Sequence, residues 1–339
     1  MTGRAVSESP PDGKPWSAGQ PIGGGPLQRQ GTATVRTGAT LLEPQPLLAE
    51  AIRKAETLLE ALQFVRKFRT HVVVVKLGGS VMEHAAALDA TLQDVVFMEA
   101  VGLHPVVVHG GGKAITAAMA KAGSAPRFVQ GRRYTDEATL KIVADTLIDD
   151  INFDLVERIE KLGGSALGMH PRSRPCLFGE RLTLDDAGTP VDLGHVGRVT
   201  RVDGTPLRKL ASAGIIPVLP SLAEDAGEGL LNVNADTAAA AVAENLAAEK
   251  LVFVSDTPGI LRDPADEATL LRSLSESEVA ALVRDGVITG GMIPKVEACL
   301  ASLRAGVKKI HLVDGRVRHA LLLEIYTAEG VGTEIVLHR

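Results

Sequence analysis

Apolar residues in this chain come mostly in short unbroken runs rather than in alternation with polar ones. Val72-Val73-Val74-Val75 and Val106-Val107-Val108 are too brief for helices. β-Branched residues at every position fit a strand buried on both faces, as in a parallel sheet. Runs of this kind predict strands over 72–77, 105–109, 165–169, 215–219, 250–255, 309–313 and 332–337. Between them, helical spacing of apolar residues predicts helices over 88–102, 113–122, 136–162, 205–213, 235–247, 275–284 and 293–305. Short polar segments around 175–200 alternate like hairpins. Strand–helix alternation of this sort predicts an α/β fold, an open and mostly parallel sheet covered by helices.

The first 70 residues stand outside that alternation. Residues 1–45 are rich in Gly, Pro, Ser and Thr, as in Gly23-Gly24-Gly25-Pro26, which predicts a disordered tail. From Pro46, residues Leu47, Leu48, Ile52, Ala55, Leu58, Leu59, Leu62 and Val65 fall near helical spacing, so 46–70 is expected to be an amphipathic helix. Such a helix either lies on its own domain or reaches out as an oligomerisation arm. Residues 71–339 form the α/β domain.

Composition narrows the chemistry. Aromatic residues make up 3% of the 339, too few for a base-stacking platform, and a formal net charge of −5 is the wrong sign for a nucleic-acid binder. An anionic small molecule would need local cations. Cys176 and Cys299 lack the spacing of a disulfide framework or a zinc site. Neither a membrane-spanning apolar stretch nor a signal-peptide core is present, so no membrane partner and a cytoplasmic location are expected.

The candidate chemistry lies where strands end. Two predicted strands run into glycine clusters, Lys76-Leu77-Gly78-Gly79 and His109-Gly110-Gly111-Gly112. Glycines there bare backbone N–H groups, which bind anions at the start of the next helix. Asn232-Val233-Asn234-Ala235-Asp236 opens one alanine-rich helix, and Gly290-Gly291-Met292-Ile293-Pro294-Lys295 opens another. Taken singly, each has an ordinary structural explanation: a tight turn, an N-cap, a solvated lysine, a packed histidine. Two anion cradles side by side with a lysine at a strand end suit phosphoryl transfer. Ala114 after Lys113 excludes a Walker loop.

These four segments, together with Val254-Ser255-Asp256-Thr257-Pro258-Gly259-Ile260, resemble in order those of the amino acid kinase family, and within it the branch that phosphorylates N-acetyl-L-glutamate. The resemblance covers residues 46–339. It implies one three-layer αβα sandwich, with 71–204 as the acyl-substrate half and 205–339 as the nucleotide half. It implies ATP as co-substrate with Mg2+, the ion held on the phosphates rather than by protein side chains. By resemblance, Lys76 and Lys295 flank the transferring phosphoryl group, oriented by Asp236. Gly78, Gly79, Ser255, Asp256, Gly290 and Gly291 hold the nucleotide. Gly111 and Gly112 meet the reactive end of the acceptor, Arg133 clamps its α-carboxylate, and Asn232 binds it.

Departures from the family pattern are also present. The stretch Gly168–Cys176 replaces a Gly-Lys-Asp turn, Arg198 stands where Glu is common, and Asn152-Phe153 replaces an Asn-Lys pair. They leave a related acyl-glutamate or acylated aminoadipate open as acceptor, and a non-catalytic arginine or nucleotide sensor as the other alternative. The run 319–333 resembles the signature of arginine-inhibited members, which implies an arginine site at Glu324, Gly330 and Gly332. Those members form hexamers, trimers of dimers linked by an N-terminal helix. Some also bind a nitrogen-signalling PII protein, a partner to which no residue here points.

Overall fold

The computed structural model describes residues 46–184, 188–225, 229–290 and 292–338. The expected tail, 1–45, and Gly291 lie outside the described residues. The long N-terminal helix is α1 (Pro46–Phe68). The domain then runs β1 (Val72–Leu77), α2 (Gly79–Met82), α3 (Ala85–Ala100), β2 (His104–His109), α4 (Gly112–Lys121), β3 (Phe128–Val129), β4 (Arg132–Arg133), α5 (Glu137–Asp145), a π-turn (Thr146–Asn152) and α6 (Phe153–Lys161). It continues with β5 (Ala166–Gly168), β6 (Leu177–Arg181), β7 (Val196–Val202), α7 (Gly204–Ser212), β8 (Ile216–Pro220), β9 (Leu222–Asp225), β10 (Gly229–Val233), α8 (Ala235–Leu246) and β11 (Lys250–Ser255). The last elements are β12 (Ser273–Ser275), α9 (Glu276–Arg284), α10 (Met292–Arg304), β13 (Lys309–Asp314), α11 (Ala320–Tyr326) and β14 (Thr333–Val336).

Eight strands form one sheet in the order β12-β14-β13-β11-β1-β2-β8-β5, parallel at every pairing except β13 with β14. Helices cover both faces, so the fold is an αβα sandwich. The valine runs are buried on both faces because alternate side chains feed two separate cores. Val73, Val75 and Leu77 join a cluster with α3 and α11, while Val74 joins the opposite cluster with α8, α9 and α10. Lys76 shares the parity of Val74, which carries it to the α8 side.

The weakly alternating region forms a closed four-stranded barrel, β10-β7-β6-β9, and β3 and β4 make a separate two-stranded hairpin. The β9–β10 hairpin and β12 are additional to the predicted strands, and 136–162 is two α-helices joined by a π-turn rather than one uniform helix. The last turns of α1 anchor it: Phe68 is buried, and Ala61, Phe64 and Val65 pack on the α3 side of the core. Leu58 and Leu59, further up the helix, remain exposed at 72% and 68%. Among the described residues no helix is long and apolar enough to cross a membrane.

Candidate active site

The sheet delivers both glycine clusters to one place because β1 and β2 are in parallel register, Leu77 opposite His109. Gly78 donates its N–H to Val254 O at 2.9 Å, and a Cβ at Gly78 would meet that same oxygen at 2.9 Å. The chain leaving β1 therefore hugs β11, which a larger residue would prevent. A Cβ at Gly79 would lie 3.9 Å from the Gly112 nitrogen, so the two clusters adjoin. Gly79 opens α2 and Gly111 is the N-cap of α4.

Asp236 reaches this point from α8. Asn234 caps that helix, accepting from the N–H groups of Asp236 and Thr237 at 2.8 and 3.1 Å. The cap holds Asp236 in the first turn, where its carboxylate pairs with Lys76 Nζ at 2.7 Å. Both side chains are largely buried, at 12% and 25% exposure, so the pair is weakly screened. Lys295 lies in the first turn of α10, which packs on α8. One turn further along α10, burial pushes the Cys299 thiol up to about 12, with the charge of Asp236 raising it and that of Lys295 lowering it. Asp236 thus bears on Lys76 directly, and its charge and that of Lys295 both reach Cys299.

Ser255 and Asp256 follow β11 beside Gly78. Ser255 is buried with its Oγ 3.0 Å from Thr257 Oγ1, and Asp256 is exposed. The Asp256 charge adds to the raising of both Lys113 and Arg316, whose main partners are Glu83 and Asp314. Gly290 precedes α10 at φ +54°, a left-handed conformation that suits glycine.

Arg133 comes from the short β3–β4 hairpin, which folds it over α4. Its Nη2 donates to Gly112 O at 2.9 Å and to Thr116 Oγ1 at 2.7 Å, and the guanidinium lies 5.0 Å from the Phe128 ring centroid. Only 9% of the residue is exposed, and among the described residues no carboxylate pairs with it. Burial pulls the guanidinium below its usual range, though it stays charged. It lines a cavity of about 220 Å³ whose walls include Gly110, Gly111, Gly112, Ser221, Asn232 and Asn234. Asn232 donates to Thr135 Oγ1 at 3.1 Å. A buried cation in a glycine-walled cavity is a place for an anion.

The structure thus gathers Lys76, Asp236, Gly78, Gly79, Gly111 and Gly112, and puts Arg133 and Asn232 in the adjoining cavity. Thr116 and Thr135, which hold Arg133 and Asn232, had no sequence signal of their own. Part of the atypical Gly168–Cys176 stretch lines a different cavity, with Thr205, Pro206 and Lys209. Arg172 in that stretch pairs with Asp145 and Asp149 at 2.5 Å each, tying it to the π-turn region.

Glu324 and Gly330 lie elsewhere, on a cavity of about 580 Å³ with Lys250, Arg272, Lys309, His311 and Glu334. Glu324 Oε1 is 2.6 Å from His311 Nδ1, and its Oε2 accepts from the N–H groups of Val331 and Gly332 at 2.8 Å each. Lys250 Nζ is 2.9 Å from the other ring nitrogen of His311, and burial pushes this lysine down to about 8. Lys250 and His311 were not among the sequence candidates. The available signal was a charged or titratable residue inside an otherwise apolar strand.

Residues 71–314 match the family model described as the amino acid kinase family. The chain is 41% identical over 291 residues to the acetylglutamate kinase of Akkermansia muciniphila, covering 85% of this chain and 97% of that one. It is 44% identical over 293 residues to the acetylglutamate kinase of Methanocaldococcus jannaschii, covering 85% and 98%. In three dimensions it resembles N-acetylglutamate synthase from Neisseria gonorrhoeae, with a TM-score of 0.74 at 24% identity over 84% of this chain and 64% of that one, somewhat less than two thirds of the synthase chain. Carbamate kinase from Giardia lamblia shares the fold at a TM-score of 0.56 and 16% identity, covering 79% of this chain and 99% of that one. With the sandwich, the paired glycine clusters and these matches agreeing, the chain belongs to the amino acid kinase family.

Proposed function

We propose that this chain transfers the γ-phosphoryl group of ATP to the γ-carboxylate of N-acetyl-L-glutamate, yielding ADP and an acyl phosphate for arginine biosynthesis. The observation that carries the reading is Arg133, a buried guanidinium without a carboxylate partner among the described residues, set in the cavity walled by the second glycine cluster. Relatives at 40–44% identity bearing the name acetylglutamate kinase support the acceptor. The γ-carboxylate, with an ordinary pKa of about 4.3, is already ionised at neutral pH, so no base is required. Its oxygen forms the new bond to Pγ as the bond to the β–γ bridging oxygen breaks, and ADP leaves with that electron pair. The obstacle is the meeting of two anions, so cations and backbone N–H groups must supply the rate.

In this reading Lys76 and Lys295 quench the charge spreading over the γ-phosphoryl group, and Asp236 holds Lys76 in place. Mg2+ would come bound to the ATP phosphates, an arrangement that asks for few protein ligands. That ion would supply further positive charge there. The decisive assay traps the product with hydroxylamine, offering ATP and either N-acetyl-L-glutamate or N-acetyl-aminoadipate. Hydroxamate is expected with the glutamate derivative. Product from the aminoadipate alone moves the acceptor, and none from any acyl-amino acid overturns the reading.

Feedback inhibition by L-arginine belongs to the same proposal. The 580 Å³ cavity offers Glu324 and Glu334 beside Lys250, Arg272 and Lys309, both signs of charge for a ligand carrying both. The exposed Leu58 and Leu59 of α1 favour its use as an arm that joins dimers into a hexamer. Removing residues 1–62 leaves the Phe64 and Phe68 anchors in place and is expected to yield dimers with reduced arginine sensitivity, measured by light scattering and inhibition curves. Hexamers persisting after that truncation would assign the linkage to another surface.

A further inference from the structure

His109 ends β2, fully buried, one residue before the second glycine cluster. A carboxylate acceptor has no proton to give it, so general-base chemistry does not explain its place. Both ring nitrogens are engaged. Nδ1 lies 3.0 Å from Gly110 O, and Nε2 lies 3.1 Å from Asn152 Nδ2. Asn152 Nδ2 also donates to Val218 O at 3.0 Å, which identifies it as the amide nitrogen. A carbonyl only accepts, so Nδ1 must carry the proton. The Asn152 amide donates, so Nε2 must not. Two independent neighbours therefore demand the same tautomer. Burial pushes the imidazole down to about 4, which keeps it neutral at pH 7.

The surroundings are shaped to hold this relay. Asn152 is the last residue of the π-turn and is almost wholly buried. A Cβ at Gly168 would collide with its Oδ1, so glycine there makes room for the amide. A Cβ at Gly111 would meet Ile151 Cδ1 at 2.6 Å and Leu147 Cδ2 at 2.7 Å, so the same π-turn packs against the glycine cluster. The Gly110–Gly111 peptide is trans and planar, so the Gly110 carbonyl and the Gly111 N–H leave it on opposite sides. A carbonyl turned inward onto His109 turns the N–H outward.

We propose that His109 is a positioning residue for phosphoryl transfer: fixed as the Nδ1–H tautomer by Asn152, it holds the Gly110 carbonyl and so aims the Gly111 N–H at the oxygen that gains charge during the reaction. This rests on the kinase reading above. Asn and Gln separate the two nitrogens of the ring, since the amide nitrogen of Asn occupies the Nδ1 position and that of Gln the Nε2 position. His109→Gln is expected to lower kcat on the order of 10²-fold, the cost of one misaimed oxyanion donor, while His109→Asn stays within about tenfold of native. The KM for ATP and the melting temperature should shift alike in the two variants. Equal kcat in both, or a better kcat in His109→Gln, overturns the role. Nitrogen-15 NMR of histidine-labelled native protein supplies a second reading that no variant can spoil. A protonated Nδ1 and a bare Nε2 are expected for His109, and the opposite tautomer overturns the relay. No acyl phosphate from native protein overturns the kinase reading together with this role, whereas native turnover with matched variants overturns the role of His109 alone.

Discussion

Lys76→Ala lowers kcat by about 10³-fold, at the upper end of what loss of one charge-stabilising group costs, with the fold intact. The lysine is the last but one residue of a strand flanked by β2 and β11, and the backbone pairing of β1 does not depend on its side chain. Its ammonium contacts Asp236 at 2.7 Å in a setting only 12% and 25% exposed. In the proposed mechanism, removing it subtracts a cation from the phosphoryl path and leaves the Asp236 carboxylate uncompensated. The second effect makes the loss larger than for an isolated surface lysine. A coupled assay of ADP release, with circular dichroism as the control for folding, measures it. Lys295→Ala is expected to act in the same direction. Near-native turnover in both variants would remove the mechanism.

The second large effect falls on binding. Arg133→Lys raises KM for the acyl acceptor on the order of 10–10²-fold, the equivalent of one or two charge-assisted hydrogen bonds, and leaves KM for ATP near its native value. The guanidinium places Nη2 on Gly112 O and Thr116 Oγ1, sets Nη1 against the soft sulfur of Met119 at 3.1 Å, and lies over Phe128, which together fix its plane. An ammonium has no plane to fix and cannot meet a carboxylate with two parallel N–H groups. Steady-state kinetics with each substrate varied in turn separates the two constants. An equal rise in both would mean that Arg133 maintains the fold rather than gripping the acceptor.

How much of this was legible in the sequence depended on range. The strands at 72–77, 250–255 and 309–313 were plain because most positions are apolar when both faces are covered, and Lys76 stood out against its valine run. Barrel strands β9 and β10 escaped detection: Leu222-Ala223-Glu224-Asp225 pairs with Gly229–Val233 and with β6, and distant partners rather than local pattern make it a strand. β12 is only three residues long and exists by pairing with β14. The convergence of Lys76 with Asp236 was implied by the resemblance to the family, while the hold on Arg133 was not, because a two-residue strand folds it onto α4. The network of Lys250, His311 and Glu324 was half visible. Glu324 drew notice through its motif, but its buried partners come from two neighbouring strands whose adjacency no local pattern encodes.

The π-turn at Thr146–Asn152 carries one more constraint. Its wider winding accommodates an extra residue, and each residue of an ordinary α-helix advances the side chain by about 100°. The wide turn absorbs that residue, so α5 and α6 keep roughly the phase that one continuous helix would give them. From Glu137 to Lys161 the chain thus runs as one helix in phase, and the widened turn marks the stretch pressed against the second glycine cluster.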